Sequence, residues 1–247
     1  MSKLRFHNGW LLGFGLLLCT SPLPADTNLV LKPFSATFSV KRNVIPLGKL
    51  ELKFSLNSTG DYVYHAHTMP GMLAGWFSAN EVIEESRGHL SSHSIHPNHY
   101  TYQGEDGEKE NTALSFNWNS AEVETTSQGV TWSQSITPGT QDKLSQQLLV
   151  RLDLAQEREE MTYQVADGGK IKSYHFRVES EEQIKTPYGQ LRCLRVMRSK
   201  ASRKPDYTIW FAPELDYLPV KIERRQSGRT YRMVLDELKM ENNSTVN

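Results

Sequence analysis

The sequence predicts a mainly β protein. It should form one curved antiparallel sheet, an incomplete barrel, with a single amphipathic helix at about residues 140–156 across its concave side. Three observations predict this. Apolar and polar residues alternate in run after run, the period-two signature of half-buried strands. Turn signals recur roughly every 8–12 residues, the spacing of a sandwich, a barrel or a strongly curved meander. Only one stretch of the body switches to a helical period. A sheet with that many strands accumulates twist and curls. A lone helix with one greasy face has no second helix to pack on, so its apolar stripe belongs against the sheet.

Each element follows from its residues. Phe34, Ala36, Phe38 and Val40 alternate with polar neighbours, and Leu50, Leu52, Phe54 and Leu56 do the same after Pro46-Leu47-Gly48, which reads as the hairpin turn. Asn57-Ser58-Thr59-Gly60-Asp61 is the next turn, and Tyr62-Val63-Tyr64-His65-Ala66-His67 the third strand. The stretch from Met69 through Met72 and Trp76 to Phe77 is apolar and rich in Met and Gly. It reads either as a loop tucked under a sheet edge or as an adaptable rim at a ligand opening. Strands follow at 80–87, 94–102, 111–118, 121–126 and 129–135, with an exposed hairpin tip at 104–110.

Pro138-Gly139 then stops the sheet. Thr140 is a suitable N-cap, Asp142 puts a negative charge in the first turn, and Leu144, Leu148 and Leu152 recur every four residues with Leu149 and Ala155 widening the stripe. Beyond the helix, 161–166 leads through Asp167-Gly168-Gly169, a strong hairpin signal, into 170–180. Strands at 191–198, 207–211, 219–224 and 230–235 complete the body, and 241–247 is a polar tail expected to be disordered.

The first 25 residues stand apart. Lys3 and Arg5 precede an apolar run at 10–18, too short to span a bilayer, and Ser21-Pro22-Leu23-Pro24-Ala25 breaks it before Asp26. That is the pattern of a secretory signal peptide cut after Ala25, so residues 26–240 are expected to form a single β-rich domain in the periplasm, without an integral membrane span. Leu18 rather than a small residue precedes Cys19, which argues against lipid attachment there. Cleavage leaves Cys193 as the sole thiol, so no internal disulfide is available. Cys193 alternates with apolar residues, as a buried inert thiol does. The 28 basic and 28 acidic residues balance, which gives no reason to expect nucleic acid as a partner.

The chain resembles an exported bacterial envelope family, domain of unknown function 3108. The residues that carry the resemblance are Pro138-Gly139-Thr140-Gln141-Asp142-Lys143-Leu144-Ser145, the run from Val165-Ala166-Asp167-Gly168-Gly169-Lys170 to Tyr174-His175-Phe176, Ile184-Lys185-Thr186-Pro187-Tyr188-Gly189, Trp210-Phe211-Ala212-Pro213-Glu214 and Leu218-Pro219-Val220-Lys221-Ile222. Asn117-Trp118-Asn119 and the turn before Trp132 extend it into the first half, to roughly residues 35–238. The motifs mark turns and the helix start more than any chemistry. The resemblance implies an exported, mostly β protein in one domain, without an established reaction. At the level of fold alone, a curved sheet with an inserted helix is similar to the periplasmic carriers of outer-membrane lipoproteins.

Direct signs of chemistry are few. His65 and His67 share a strand face, and with His93 and His99 they are the residues to test for a metal site; the alternative is unliganded strand and loop histidines. No nucleophile elbow, zinc-protease helix or phosphate loop occurs. The pairs Glu84-Glu85, Glu159-Glu160 and Glu181-Glu182 point to opposite strand faces. Basic residues gather at Arg192, Arg195, Arg198, Lys200, Arg203 and Lys204 and at Lys221, Arg224 and Arg225, as a solvated outer face or as a surface for anionic lipid headgroups.

The expectation is therefore a non-catalytic binding or carrier protein, with no cofactor, for a lipid or lipoprotein ligand of apolar or amphipathic character. Leu144, Leu148, Leu152, Met72 and Trp76 would line or rim its cavity. Whether the leucine stripe closes a packed core or gates that cavity is open at this level. The rival classes are a histidine-metal enzyme and an assembly factor that contacts another envelope protein.

Overall fold

The computed structural model describes residues 29–71, 80–91, 94–104, 111–200 and 206–241. The expected signal peptide and disordered tail, Met72, Trp76, His93, Arg203, Lys204 and most of the 104–110 tip lie outside the described residues. Among the described residues fourteen strands form one antiparallel sheet around a single α-helix. In chain order they are β1 (Phe34–Arg42), β2 (Ile45–Leu56), β3 (Asp61–Pro70), β4 (Val82–Leu90), β5 (Ile95–Gly104), β6 (Thr112–Asn117), β7 (Glu122–Ser127) and β8 (Val130–Ser135). The helix α1 (Ser145–Ala155) follows, then β9 (Glu160–Ala166), β10 (Ile171–Lys185), β11 (Gln190–Lys200), β12 (Tyr207–Ala212), β13 (Leu218–Gln226) and β14 (Arg229–Met240). A 3-10 turn, Pro213–Leu215, lies between β12 and β13.

The order across the sheet is β8-β7-β6-β5-β4-β3-β2-β1-β14-β13-β12-β11-β10-β9. Each half of the chain is a meander, and the first and last strands join the halves. The edges are thus β8 and β9, the two strands that flank the helix, so the helical connection bridges the gap of the open barrel. Among the described residues no helix is long and apolar enough to cross a membrane.

The alternation read from the sequence places its residues as expected: Phe34, Ala36, Phe38 and Val40 on β1, Leu50, Leu52 and Phe54 on β2, and Tyr62, Tyr64 and Ala66 on β3 are all buried. The first hairpin turns elsewhere than expected. Its bend is at Asn43-Val44, with Asn43 left-handed at φ 56°. Pro46-Leu47-Gly48 instead forms a bulge inside β2, where the pairing with β1 slips by one residue between Val40 and Lys41. Gly48 has its own reason to be glycine: φ is +155°, and a Cβ would lie 2.0 Å from the Met69 carbonyl oxygen. The turn at 57–60 is held as an Asx motif, the Asn57 side-chain oxygen accepting from the backbone N–H of Thr59 and of Asp61.

The helix is shorter than expected and differently capped. Residues 140–142 are not helical: the Gln141 N–H donates to the Gln164 carbonyl at 2.9 Å and its carbonyl accepts from the Ala166 N–H at 2.8 Å, a parallel bridge onto the β9 edge. Thr140 closes a local turn, its hydroxyl donating to the Thr137 carbonyl. Asp142 does the capping, one carboxylate oxygen accepting from the N–H of Leu144 at 2.7 Å and of Ser145 at 2.8 Å.

Nor does α1 expose a polar face. Only Gln147 and Leu149 are partly accessible. Leu144, Leu148 and Leu152 join the larger apolar cluster, with β1, β2, β3 and β14, while Val150 and Leu154 join a second one with Met161, Tyr163, Phe176, Val196 and Phe211. A helix buried on nearly all sides is a plug rather than a lid laid on a surface. At about 1.5–3 kcal/mol per fully buried large apolar side chain, these contacts hold it far more firmly than its helix propensity could.

Candidate functional site

The plug does not fill the barrel. A cavity of about 450 Å³ remains beside the first half of α1. Its walls are Leu50, Leu52, Ala66, Leu144, Val150, Phe176, Ile209, Phe211, Ile222 and Met233. Polar and charged side chains gather on the same lining: Thr68, Glu84, Tyr102, Lys143, Gln146 and Gln147 on one side, Asp167, Tyr174, Arg198, Lys200, Tyr207 and Arg224 on the other. The lining is thus half apolar and half polar or charged, and its volume lies in the range of ~300–1,000 Å³ that small-molecule sites share.

Sheet topology explains the convergence. Thr68 and Tyr102 lie near the ends of β3 and β5, Val82 opens β4, Lys200 ends β11, and Tyr207 opens β12. Strands from opposite halves of the meander bring these positions to one end of the barrel. The β9–β10 turn closes the ring sterically: a Cβ on Gly169 would lie 2.4 Å from the Trp132 ring of β8, so the two sheet edges touch there without a ladder of hydrogen bonds. The Gln141 side chain reaches across the same gap and donates to the Ile95 carbonyl on β5.

The charges at the cavity form three groups. Lys143 donates to Glu84 at 2.6 Å and lies 4.9 Å over the Tyr102 ring, and Tyr100 also donates to Glu84. Burial lowers the affinity of Lys143 for its proton, but the Glu84 carboxylate outweighs it and the pKa is raised. Asp167 accepts from Lys172, Lys200 and Tyr174 through one oxygen. Burial raises its pKa, and those three bonds more than reverse the effect, holding the carboxyl well below its usual range. Arg198 donates to both oxygens of Asp206 and lies between two rings, 3.8 Å from Tyr207 and 4.5 Å from Tyr174.

Beneath the cavity, two buried charges anchor the helix. Asp142 accepts from the Ser86 hydroxyl at 2.6 Å, and Ser86 in turn meets the Tyr62 hydroxyl at 3.1 Å. Burial pushes the Asp142 carboxyl up to about 6, partly offset by these hydrogen bonds. Arg151 has its Nε–H on the Asp216 carbonyl at 3.0 Å and its guanidinium 5.1 Å over the Phe34 ring, but neither terminal nitrogen has a hydrogen-bond partner. Burial lowers its pKa to about 10.

Of the ligand-lining residues expected from sequence, Leu144 borders the cavity. Leu148 and Leu152 do not; both are buried in the larger apolar cluster. Val150 lines it instead. Met72 and Trp76 lie outside the described residues. Arg198, Lys200 and Arg224, read from sequence only as part of a basic cluster, line the cavity, whereas Arg192 and Arg195 pair with Glu181 and Glu182.

The histidines are dispersed. His65 and His67 sit on β3 opposite its buried residues, with rings 6.3 Å apart, and His67 bonds Glu81. His99 pairs with Arg87 across β4–β5. Among the described residues no three His, Cys, Asp or Glu side chains assemble into a metal-binding group. Cys193 is fully buried, and burial pushes its thiol up to about 11.

Residues 37–236 match the family model described as protein of unknown function DUF3108. No curated protein matches the sequence. Among solved structures, the chain is similar to a β-barrel-like protein of domain of unknown function DUF1849 from Brucella abortus, at 10% identity and TM-score 0.59, with 87% of this chain and 100% of that chain covered. It aligns more loosely with an exported-type protein of YmcC-like fold from Bacteroides fragilis (9% identity, TM-score 0.30, 85% and 96% covered). A domain assigned to outer-membrane lipoprotein sorting from Vibrio parahaemolyticus aligns at 7% identity and TM-score 0.26, with 87% and 88% covered. The first of these identifies the fold: an open, barrel-like sheet.

Proposed function

The chain belongs to the DUF3108 family, and from that premise we propose that it is a non-catalytic carrier that holds an apolar or amphipathic envelope ligand between its curved sheet and its helix. One observation carries the reading: a 450 Å³ cavity with apolar walls persists beside a helix that is otherwise packed on nearly every side. Cores are packed to crystal density, and a space this large left beside a well-packed plug is the kind of volume a ligand occupies. The cavity is amphipathic, with Leu50, Leu52, Leu144, Val150 and Phe211 on its walls and charged groups on the same lining. A ligand with an apolar body and a polar end fits such a lining. The export pattern of residues 1–25 would bring the protein to the envelope, where such ligands are abundant.

The polyene fatty acid cis-parinaric acid, which fluoresces when it enters an apolar site, tests the reading. Saturable emission at one equivalent is expected, weakened at least several-fold by Thr68→Trp, which places a ring at the half-buried border of the cavity. No saturable emission from the unmodified protein, or equal binding by the variant, would count against this site.

A further inference from the structure

We propose that the amphiphile carries an anionic headgroup, which docks on the β11–β13 wall of the cavity at Arg198, Lys200 and Arg224. The inference rests on the carrier reading and names the chemistry of its ligand. Among the described residues four cationic side chains line the cavity, Lys143, Arg198, Lys200 and Arg224, against two carboxylates, Glu84 and Asp167. Two described charges outside the lining pair with it, Asp206 with Arg198 and Lys172 with Asp167, and they cancel each other. The surplus is therefore two positive charges.

Its position is as informative as its sign. Lys143 and Glu84 neutralise each other on the β4 side. The surplus sits on the opposite wall. Asp167 takes Lys172, Lys200 and Tyr174 on one oxygen, and among the described residues no hydrogen bond or ion pair joins it to Arg198 or Arg224. Arg198 commits its Nε and one terminal nitrogen to Asp206, and its other terminal nitrogen, Nη1, has no hydrogen-bond partner among the described residues. Arg224 makes no ion pair among the described residues, and its guanidinium lies 5.5 Å from the Tyr207 ring. Tyr207 and Tyr174 flank the Arg198 guanidinium and Asp206 holds its Nε and Nη2, which orients the remaining Nη1 for a carboxylate or phosphate oxygen. Apolar walls and a preorganised cationic wall in one cavity select a chain with an anionic end.

Three probes of matched chain length separate headgroup from tail: dodecanoate, dodecan-1-ol and dodecyltrimethylammonium. They are titrated at pH 8, below micelle formation, and read by intrinsic tryptophan fluorescence and calorimetry. A charge-assisted contact is worth ~1.5–3 kcal/mol, so dodecanoate should bind about tenfold or more tightly than the alcohol. It should weaken with added salt, and the cation should bind least. The double variant Lys200→Gln/Arg224→Gln, at positions exposed enough to spare folding, should lose that preference, dodecanoate then binding no more tightly than the alcohol. Equal affinity for all three probes overturns the anionic assignment and leaves the carrier reading standing. An undiminished preference in the double variant overturns the assignment to this wall. Binding of none of the three refutes the carrier reading and this inference with it.

Discussion

Asp142→Asn should stabilise this protein at neutral pH, and the amount can be worked from the site. The carboxyl is fully buried at the helix start, and its pKa rises from 3.8 to about 6 because burial penalises the charge more than its hydrogen bonds favour it. A group whose folded pKa lies above its unfolded value binds protons more tightly when folded. Its contribution is therefore most favourable below about pH 4 and is lost as pH rises through about 6. At 1.36 kcal/mol per pH unit of displacement, the ionised form costs about 3 kcal/mol at pH 7.5. Asparagine reproduces the neutral acid. Its oxygen keeps the N–H groups of Leu144 and Ser145, and its amide can donate to Ser86, whose hydroxyl proton turns to Tyr62. Asp167 and Glu223 are shifted the other way and act mainly below about pH 4.5, so the window from pH 4.5 to 7 belongs chiefly to Asp142. Urea unfolding across that window should show the wild type losing stability relative to the variant, the two converging near pH 4 and differing by about 2–3 kcal/mol at pH 7.5. Parallel curves, or a variant less stable at pH 7.5, would refute the reasoning.

Other perturbations test other parts of the structure. Arg151→Met keeps the stem's packing and removes a buried charge with two unpartnered nitrogens, so it should stabilise the protein by about 1–3 kcal/mol in urea unfolding. Arg151→Ala, which opens a hole as well, should do worse than Met, and the reverse order would show that the charge is better compensated than its bonds suggest. Gly169→Ala puts a methyl into the Trp132 ring at a φ of +69°. It should destabilise by roughly 1–3 kcal/mol and shift tryptophan emission, because it pries apart the two sheet edges. The Cys193 thiol should resist a thiol reagent such as DTNB in the native state and react at once in urea, and rapid native labelling would contradict its burial.

Much of this architecture is legible in the residues, and the failures have physical reasons. Period-two alternation locates the strands because each has one face toward the core, as Phe34, Phe38, Tyr62 and Tyr64 do. Pro46 and Gly48 look like a turn, yet here Gly48 admits a neighbouring carbonyl within a bulged strand, a contact three-dimensional in origin. The helix start is misplaced because Gln141 is claimed by the β9 edge, a partner more than twenty residues away in sequence. Leu144, Leu148 and Leu152 give the right stripe, but a second apolar face through Val150 and Leu154 turns an amphipathic helix into a buried one. Asp142 is legible as a charge in the first turn, not as the cap it becomes. Arg198 and Lys200 are visible as a basic cluster, but alternation cannot say which face of the sheet they take, nor that Tyr174 and Tyr207 clamp one of them.

The carrier reading is tested most directly by native mass spectrometry of the full chain, expressed with its own N-terminal segment and purified without detergent, compared with Thr68→Trp. It predicts that the unmodified protein carries an adduct of lipid mass, released on unfolding as an anionic amphiphile, and that the variant is depleted of it. A bare protein mass in both samples, with both fully folded, would contradict it.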